Sequence, residues 1–297
     1  MRVGTPQHRE LFCRTFIETH RSYEPQDLPW PELDEVSLRR LRAFPFWSYA
    51  CSIEARAGRM VSAFARTLED PLIRETITLQ SVEEERHGRL MLHVVERYGI
   101  DAPPLAIADP PPRPDDFRVF GFGECTDSFI GFGAIALARG RGIFPESLLS
   151  IFDEVMFEEA RHIVFFINWW RYEEARAGRD KPFARTLESL RYQLRAALGT
   201  ATGATEIPPM PTHLDDPELD AIVKSLSPAD FLQTALAENR RMMARLDPRL
   251  PKPRVMPVLA TLLLAGIRML PPRAPTVPGA ASRNGSVPPA QRPRSVA

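Results

Sequence analysis

The sequence predicts an all-α protein built on an up-down bundle of four long helices, with one long crossover between two hairpins and further helices after the fourth. Three observations carry this. Apolar residues recur at three- and four-residue intervals through most of the 297 residues, with almost no alternating β-branched runs. Helix stops at Asp70-Pro71, Gly99, Gly140-Arg141-Gly142 and Gly178 cut that pattern into long segments. Six prolines, at 103, 104, 110, 111, 112 and 114, set one stretch apart as extended chain.

Taken in order, residues 1–44 form an N-terminal segment that ends at Phe44-Pro45-Phe46. A first long helix follows to about Glu69, stopped by Asp70-Pro71 because the residue before a proline disfavours helical geometry. The second fills Leu72 to Tyr98 and ends at Gly99. Residues 101–116 are the crossover, able to span on the order of 50 Å. The third helix covers about Phe117 to Arg139 and the fourth about Pro145 to Ala177, with the Gly-Arg-Gly turn between them. These four make a domain over 45–178. A helical extension over 179–270 holds helices at Pro182–Leu198, Pro228–Leu246 and Met256–Leu270. Residues 271–297, with seven prolines and little to bury, read as a disordered tail.

Composition excludes several classes. The 38 basic and 38 acidic residues cancel, so no global field draws the chain to nucleic acid or to an anionic membrane. Three cysteines without Cys-x-x-Cys spacing fit a reducing, cytoplasmic setting. No span of about 20 apolar residues is present, which argues against a transmembrane helix.

The chemistry lies in a repeated word. The second helix contains Glu83-Glu84-Glu85-Arg86-His87 and the fourth Glu158-Glu159-Ala160-Arg161-His162. With 23 glutamates and 35 arginines in the chain, about 0.004 such words are expected by chance over its six histidines. Glutamate and histidine three apart share one helix face, so their donor atoms can reach one ion together. Two such pairs on antiparallel helices supply four ligands, and a pair of divalent metals then needs two more carboxylates to bridge them. Glu54 in the first helix and Glu124 in the third meet that need. The midpoint of Glu54 and Glu84 is residue 69, and that of Glu124 and Glu159 falls at 141 to 142, both at turns placed on other grounds. In each hairpin the lone carboxylate therefore sits level with its Glu-x-x-His pair.

Glu54, Glu84-x-x-His87, Glu124 and Glu159-x-x-His162 together resemble the ligand set of the ferritin-like di-iron carboxylate superfamily. The run Glu83 to Gly88 is similar to soluble acyl-carrier-protein desaturases, and the doubled word is similar to bacterial multicomponent monooxygenase hydroxylases. The resemblance implies two iron ions, with manganese as the alternative. It implies that Glu83 and Glu158 each support the histidine of the opposite helix, with Arg86 and Arg161 neutralising buried carboxylate charge. An O2-dependent oxidase or oxygenase acting on a small organic substrate follows, with Trp47, Phe120, Phe129 and Phe132 as an apolar pocket beside the metals. A rubrerythrin- or ferritin-like handler of peroxide or iron, a manganese catalase-like site and a non-catalytic metal scaffold share the same ligand chemistry. No rubredoxin-like or ferredoxin-like cysteine set is present, so reducing equivalents come from a separate protein. A homodimer rests on the resemblance alone.

Overall fold

Capping chemistry starts the helices. Thr5, Asp34, Asp70, Asp216 and Ser227 each accept a hydrogen bond from a backbone N–H of the first helical turn, and in four of these cases proline takes the first helical position. The computed structural model describes residues 1–103, 105, 113–179, 181–201 and 213–269. Among these the chain is all-α and no strand is present. The helices are α1 (Pro6–Thr19), α2 (Glu35–Ala43), α3 (Trp47–Ala65), α4 (Pro71–Tyr98), α5 (Pro114–Gly140), α6 (Glu146–Arg176), α7 (Pro182–Ala201), α8 (Pro217–Ser225), α9 (Pro228–Ala244) and α10 (Val255–Met269), with a 3-10 turn at Pro25–Asp27. None of them is long and apolar enough to cross a membrane.

The differences from the sequence reading have local causes. The first long helix stops at Ala65, four residues early, where the chain tightens into i→i−3 turns, with the Thr67 N–H donating to the Phe64 carbonyl and the Leu68 N–H to that of Ala65. Asp70-Pro71 then serves as cap and first residue of α4, whose far end is closed by Gly99 at φ 59°. The third long helix begins at Pro114, three residues early, with Asp115 and Asp116 favouring its N-terminus. Residues 1–44 carry α1, α2 and the 3-10 turn, and α8 is an additional helix between those expected at Pro182–Leu198 and Pro228–Leu246. The tail expected over 271–297 and most of the crossover lie outside the described residues.

Helices α3 and α4 pack along each other as one hairpin, and α5 and α6 form the other, with α3 facing α5 and α4 facing α6. Two glycines set the α3–α4 approach. A Cβ on Gly58 would lie 2.5 Å from Glu85 Cγ, and one on Gly88 would lie 3.2 Å from the Ala55 nitrogen. The N-terminal α1 covers α4 and α6, while α7, α9 and α10 cover the far side of α5.

Two of the three apolar clusters lie at different heights along these helices, the third being the packing of α5 on α9 and α10. Phe64, Ile77, Phe166 and Trp169 belong to one. Trp47, Cys51, Leu90, Val94, Phe152 and Val155 belong to the other. Between them, at matching depth on α3, α4 and α6, lie Glu54, Glu83, Glu84, His87, Glu158, Glu159 and His162. A polar layer is thus sealed above and below by hydrocarbon, where an uncompensated charge is costly.

Candidate metal centre

Glu54 from α3, Glu84 and His87 from α4, and Glu159 from α6 each bring one donor atom within 4.8 Å of the others. His87 Nδ1 lies 3.0 Å from Glu159 Oε1, 3.8 Å from Glu54 Oε2 and 3.9 Å from Glu84 Oε2. Donors about 2.1 Å from one octahedral ion sit about 3.0 Å apart when adjacent and about 4.2 Å apart when opposite. The spacing to Glu159 is that of adjacent ligands, while those to Glu54 and Glu84 are wider and would close by up to about 0.9 Å around an ion. On the other side, His162 Nδ1 lies 3.1 Å from Glu84 Oε1 and 3.7 Å from Glu159 Oε2.

Glu84 and Glu159 therefore each turn one oxygen to His87 and the other to His162. Glu84 and Glu159 thus lie between the two imidazoles, whereas the sequence reading had assigned the bridging of two metals to Glu54 and Glu124. Glu54 instead faces His87. Glu124, half-buried on α5, stands outside the group of four, though the charges of Glu159 and Glu84 act on it.

Both Nδ1 atoms are buried without a hydrogen-bond partner, as is Glu159 Oε2. Close approach to carboxylates without hydrogen-bonding geometry is what a donor set shows when it is built to share a cation. The opposite ring nitrogens are held firmly. His87 Nε2 lies 2.8 Å from Glu158 Oε2, and His162 Nε2 lies 2.7 Å from Glu83 Oε2, so each histidine is oriented by the acid preceding the other hairpin's glutamate. Arg86 donates to Glu158 at 2.6 Å and Arg161 to Glu83 at 3.0 Å.

The N-terminal residues, given no role by the sequence reading, complete this support. His20 Nδ1 lies 2.6 Å from Glu83, Tyr23 donates to Glu158 at 3.2 Å, and Arg161 also donates to the Phe16 carbonyl and Thr19 Oγ1. Phe16 stacks on His162, and the Arg86 guanidinium sits 4.1 Å from the Tyr23 ring centre. No local sequence signal marks these residues, because their partners lie 63 to 145 positions away.

Charge follows the same plan. Burial and the neighbouring Glu159 push the Glu54 carboxyl up to about 8 and hold Glu124 well above the usual carboxylate range. Burial opposes charge on His87 and His162, yet the surrounding carboxylates raise both well above the ordinary imidazole value. Burial also works against the Glu159 anion, but the two imidazoles hold it well below the usual range. Without metal, protons take the cation's place. Six glutamates (54, 83, 84, 124, 158 and 159) against two arginines (86 and 161) leave four negative charges, the charge of two divalent ions.

The four aromatic residues expected to line a substrate pocket do not converge. Trp47 belongs to the lower apolar cluster, where its Nε1 donates to the Leu41 carbonyl. Phe132 and Phe120 belong to the cluster containing Phe117, and Phe129 is turned to Ala235, Leu236 and Leu264 of α9 and α10. No protein-family model, curated protein or solved structure matches the chain. The side chains of this centre are therefore the ground for assigning a function.

Proposed function

We propose that α3 to α6 form a ferritin-like four-helix bundle holding two iron ions, and that the protein uses them with dioxygen to hydroxylate or desaturate a small organic substrate. The observation that carries this reading is the pair of buried, unpartnered Nδ1 atoms with Glu84 and Glu159 each spanning both. One cation would be held by His87 and Glu54, the other by His162 and Glu124, with Glu84 and Glu159 shared. When bound, two ferrous ions supply dioxygen with the electrons that oxidation of an unactivated substrate requires. Manganese has the same ligand preferences and is the alternative occupant.

The chain's own residues do the remainder. Glu83 and Glu158 fix the histidine tautomers so that each Nδ1 lone pair faces inward. Gln80 donates to Glu84 Oε1 at 3.1 Å and restrains that carboxylate. The apolar clusters above and below exclude water from the layer. The Glu54 side chain is 22% exposed while Glu84 and His162 are 1% exposed, so an organic substrate would approach between α3 and α5. Reducing equivalents would come from a separate donor protein.

The test is metal content per chain by mass spectrometry on protein purified without chelators, followed by oxygen uptake after reduction. About two irons per chain, lost in both Glu84→Ala and Glu159→Ala, support the reading. Metal retained at wild-type stoichiometry in both variants refutes the site. Rapid turnover of peroxide or ferrous iron without organic substrate would replace oxygenase with metal handling, and bound metal inert to dioxygen would leave a scaffold.

A further inference from the structure

Helix α10 carries no charged side chain from Val255 to Ile267. One of its faces packs inward, with Ala260 and Leu264 buried in a cluster with Phe129, Ala235 and Leu236 and with Met256 alongside. The outward face, where a helix on a protein surface ordinarily turns polar, is aliphatic instead. Val258 is 54% exposed, Leu259 39%, Leu262 64%, Leu263 60% and Met269 80%. Single exposed apolar residues are ordinary on a protein surface, but five within twelve residues of one helix form a strip. The Thr261 hydroxyl, one turn from Val258, donates to the Pro257 carbonyl at 2.7 Å and so has its bond within the helix. A groove of about 610 Å³ between α9 and α10 shares Val258 and Leu262 with the strip and carries Arg240 and Arg254.

The charges that cancel over the whole chain are unevenly placed. Residues 248–297 hold eight basic residues and no aspartate or glutamate, which leaves 30 basic against 38 acidic residues in the rest. Arg254, just ahead of α10, and Arg268, in its last turn, are both exposed. Arg268 donates to the neutral Gln233 side chain, which does not offset its charge. The 28 residues after α10 add four arginines. Asp247 is engaged by Arg249, and Glu238 of α9 by Arg241.

We infer that α10 lies in the surface of a membrane containing anionic lipid, its exposed leucines among the acyl chains and Arg254 and Arg268 among the phosphates beyond its two ends. The helix is about 22 Å long and too short to cross the bilayer, so it rests in the plane of the interface. An apolar strip with cations at both ends matches hydrocarbon bordered by anionic headgroups. A second copy of this chain on the same face would bring two cationic surrounds together, which repel. None of the glutamates or histidines of the metal centre belongs to α10, so the inference stands whether or not the centre holds iron.

The test is flotation of the full chain with vesicles of phosphatidylcholine alone and with about 30% phosphatidylglycerol added. Binding to the anionic vesicles is expected to exceed that to the neutral ones about tenfold or more, and to fall as salt rises from about 0.1 to 1 M. The double variant Leu262→Asp, Leu263→Asp should weaken it about tenfold or more, and Arg254→Glu, Arg268→Glu about fivefold or more. All four side chains are exposed, so circular dichroism and metal content should stay at wild-type values. Absence of binding to the anionic vesicles overturns the inference, as does equal binding to the neutral ones or wild-type binding by both variants. A dimer in sedimentation that the leucine variant dissolves would assign the face to a second copy and overturn it as well.

Discussion

Replacing Glu83 by glutamine should destabilise the metal-free protein by about 3 kcal/mol, by removing a buried anion that three cationic or hydrogen-bonding partners require. Glu83 is fully buried and lies 2.6 Å from His20, 2.7 Å from His162 and 3.0 Å from Arg161. Burial alone would raise its carboxyl, but the bond and charge of His162, the Arg161 guanidinium and His20 hold it down to about 2 against an ordinary value of 4.5. That difference stabilises the folded chain by about 3 kcal/mol at neutral pH. The sign is that of a depressed carboxyl, with stabilisation fully present above the unfolded value near 4.5 and lost as pH falls toward about 2. The assay is urea unfolding of metal-free wild type, E83Q, Arg161→Met and the double variant, at neutral pH and near pH 4. The double variant should be less destabilised than the sum of the singles by about 1–3 kcal/mol, since each single strands the other's charge. A single-variant loss below about 1 kcal/mol, or strict additivity, would show that the pair behaves as if exposed and refute the reasoning.

Other outcomes follow from the same contacts. Gly58→Ala should cost about 1–3 kcal/mol or more and weaken metal binding, because its Cβ would meet Glu85 Cγ at 2.5 Å and push α3 from α4, whereas Gly88→Ala at 3.2 Å should cost less; urea midpoints and metal titration check both. Phe129→Ala should lose about 3–5 kcal/mol on unfolding yet keep wild-type metal content, since Phe129 packs on α9 and α10. Tyr23→Phe, which keeps the ring over Arg86 and loses the bond to Glu158, should cost about 1 kcal/mol. Metal uptake in weak buffer should release protons, and affinity should rise with pH at least up to about 8, because the proton on Glu54 and those on His87 and His162 must leave before these groups can bind. A pH-independent affinity would contradict that placement.

The parts of this molecule legible in its sequence are those encoded within one or two helical turns. Glu84 and His87 share a face because they are three residues apart, and the turn at Asp70-Pro71 brings Glu54 to the depth of Glu84 by simple counting. The all-α class follows from the same periodicity. The support from His20, Tyr23 and Phe16 was not legible, because it depends on how α1 lies across α4 and α6. That Glu84 and Glu159 each reach both imidazoles was also hidden, since it is decided by side-chain torsions and not by position along a helix. Phe129 shows a third limit. Its spacing fits an inward face, but α5 is flanked on its far side by α9 and α10, so two of its faces are inward.

The reach of α1 across the chain bears on synthesis. Phe16, Thr19 and His20 leave the ribosome early, yet the Arg161 that binds the first two lies 142 to 145 residues later. At bacterial or eukaryotic translation speeds that is a wait of roughly 7–30 s. Over about the second half of that wait the first glutamate–histidine word is made but neither His87 nor Glu83 has its partner from α6. A nascent chain could hold at most a fragment of the centre, so any metal it takes up would enter only after the second word has emerged.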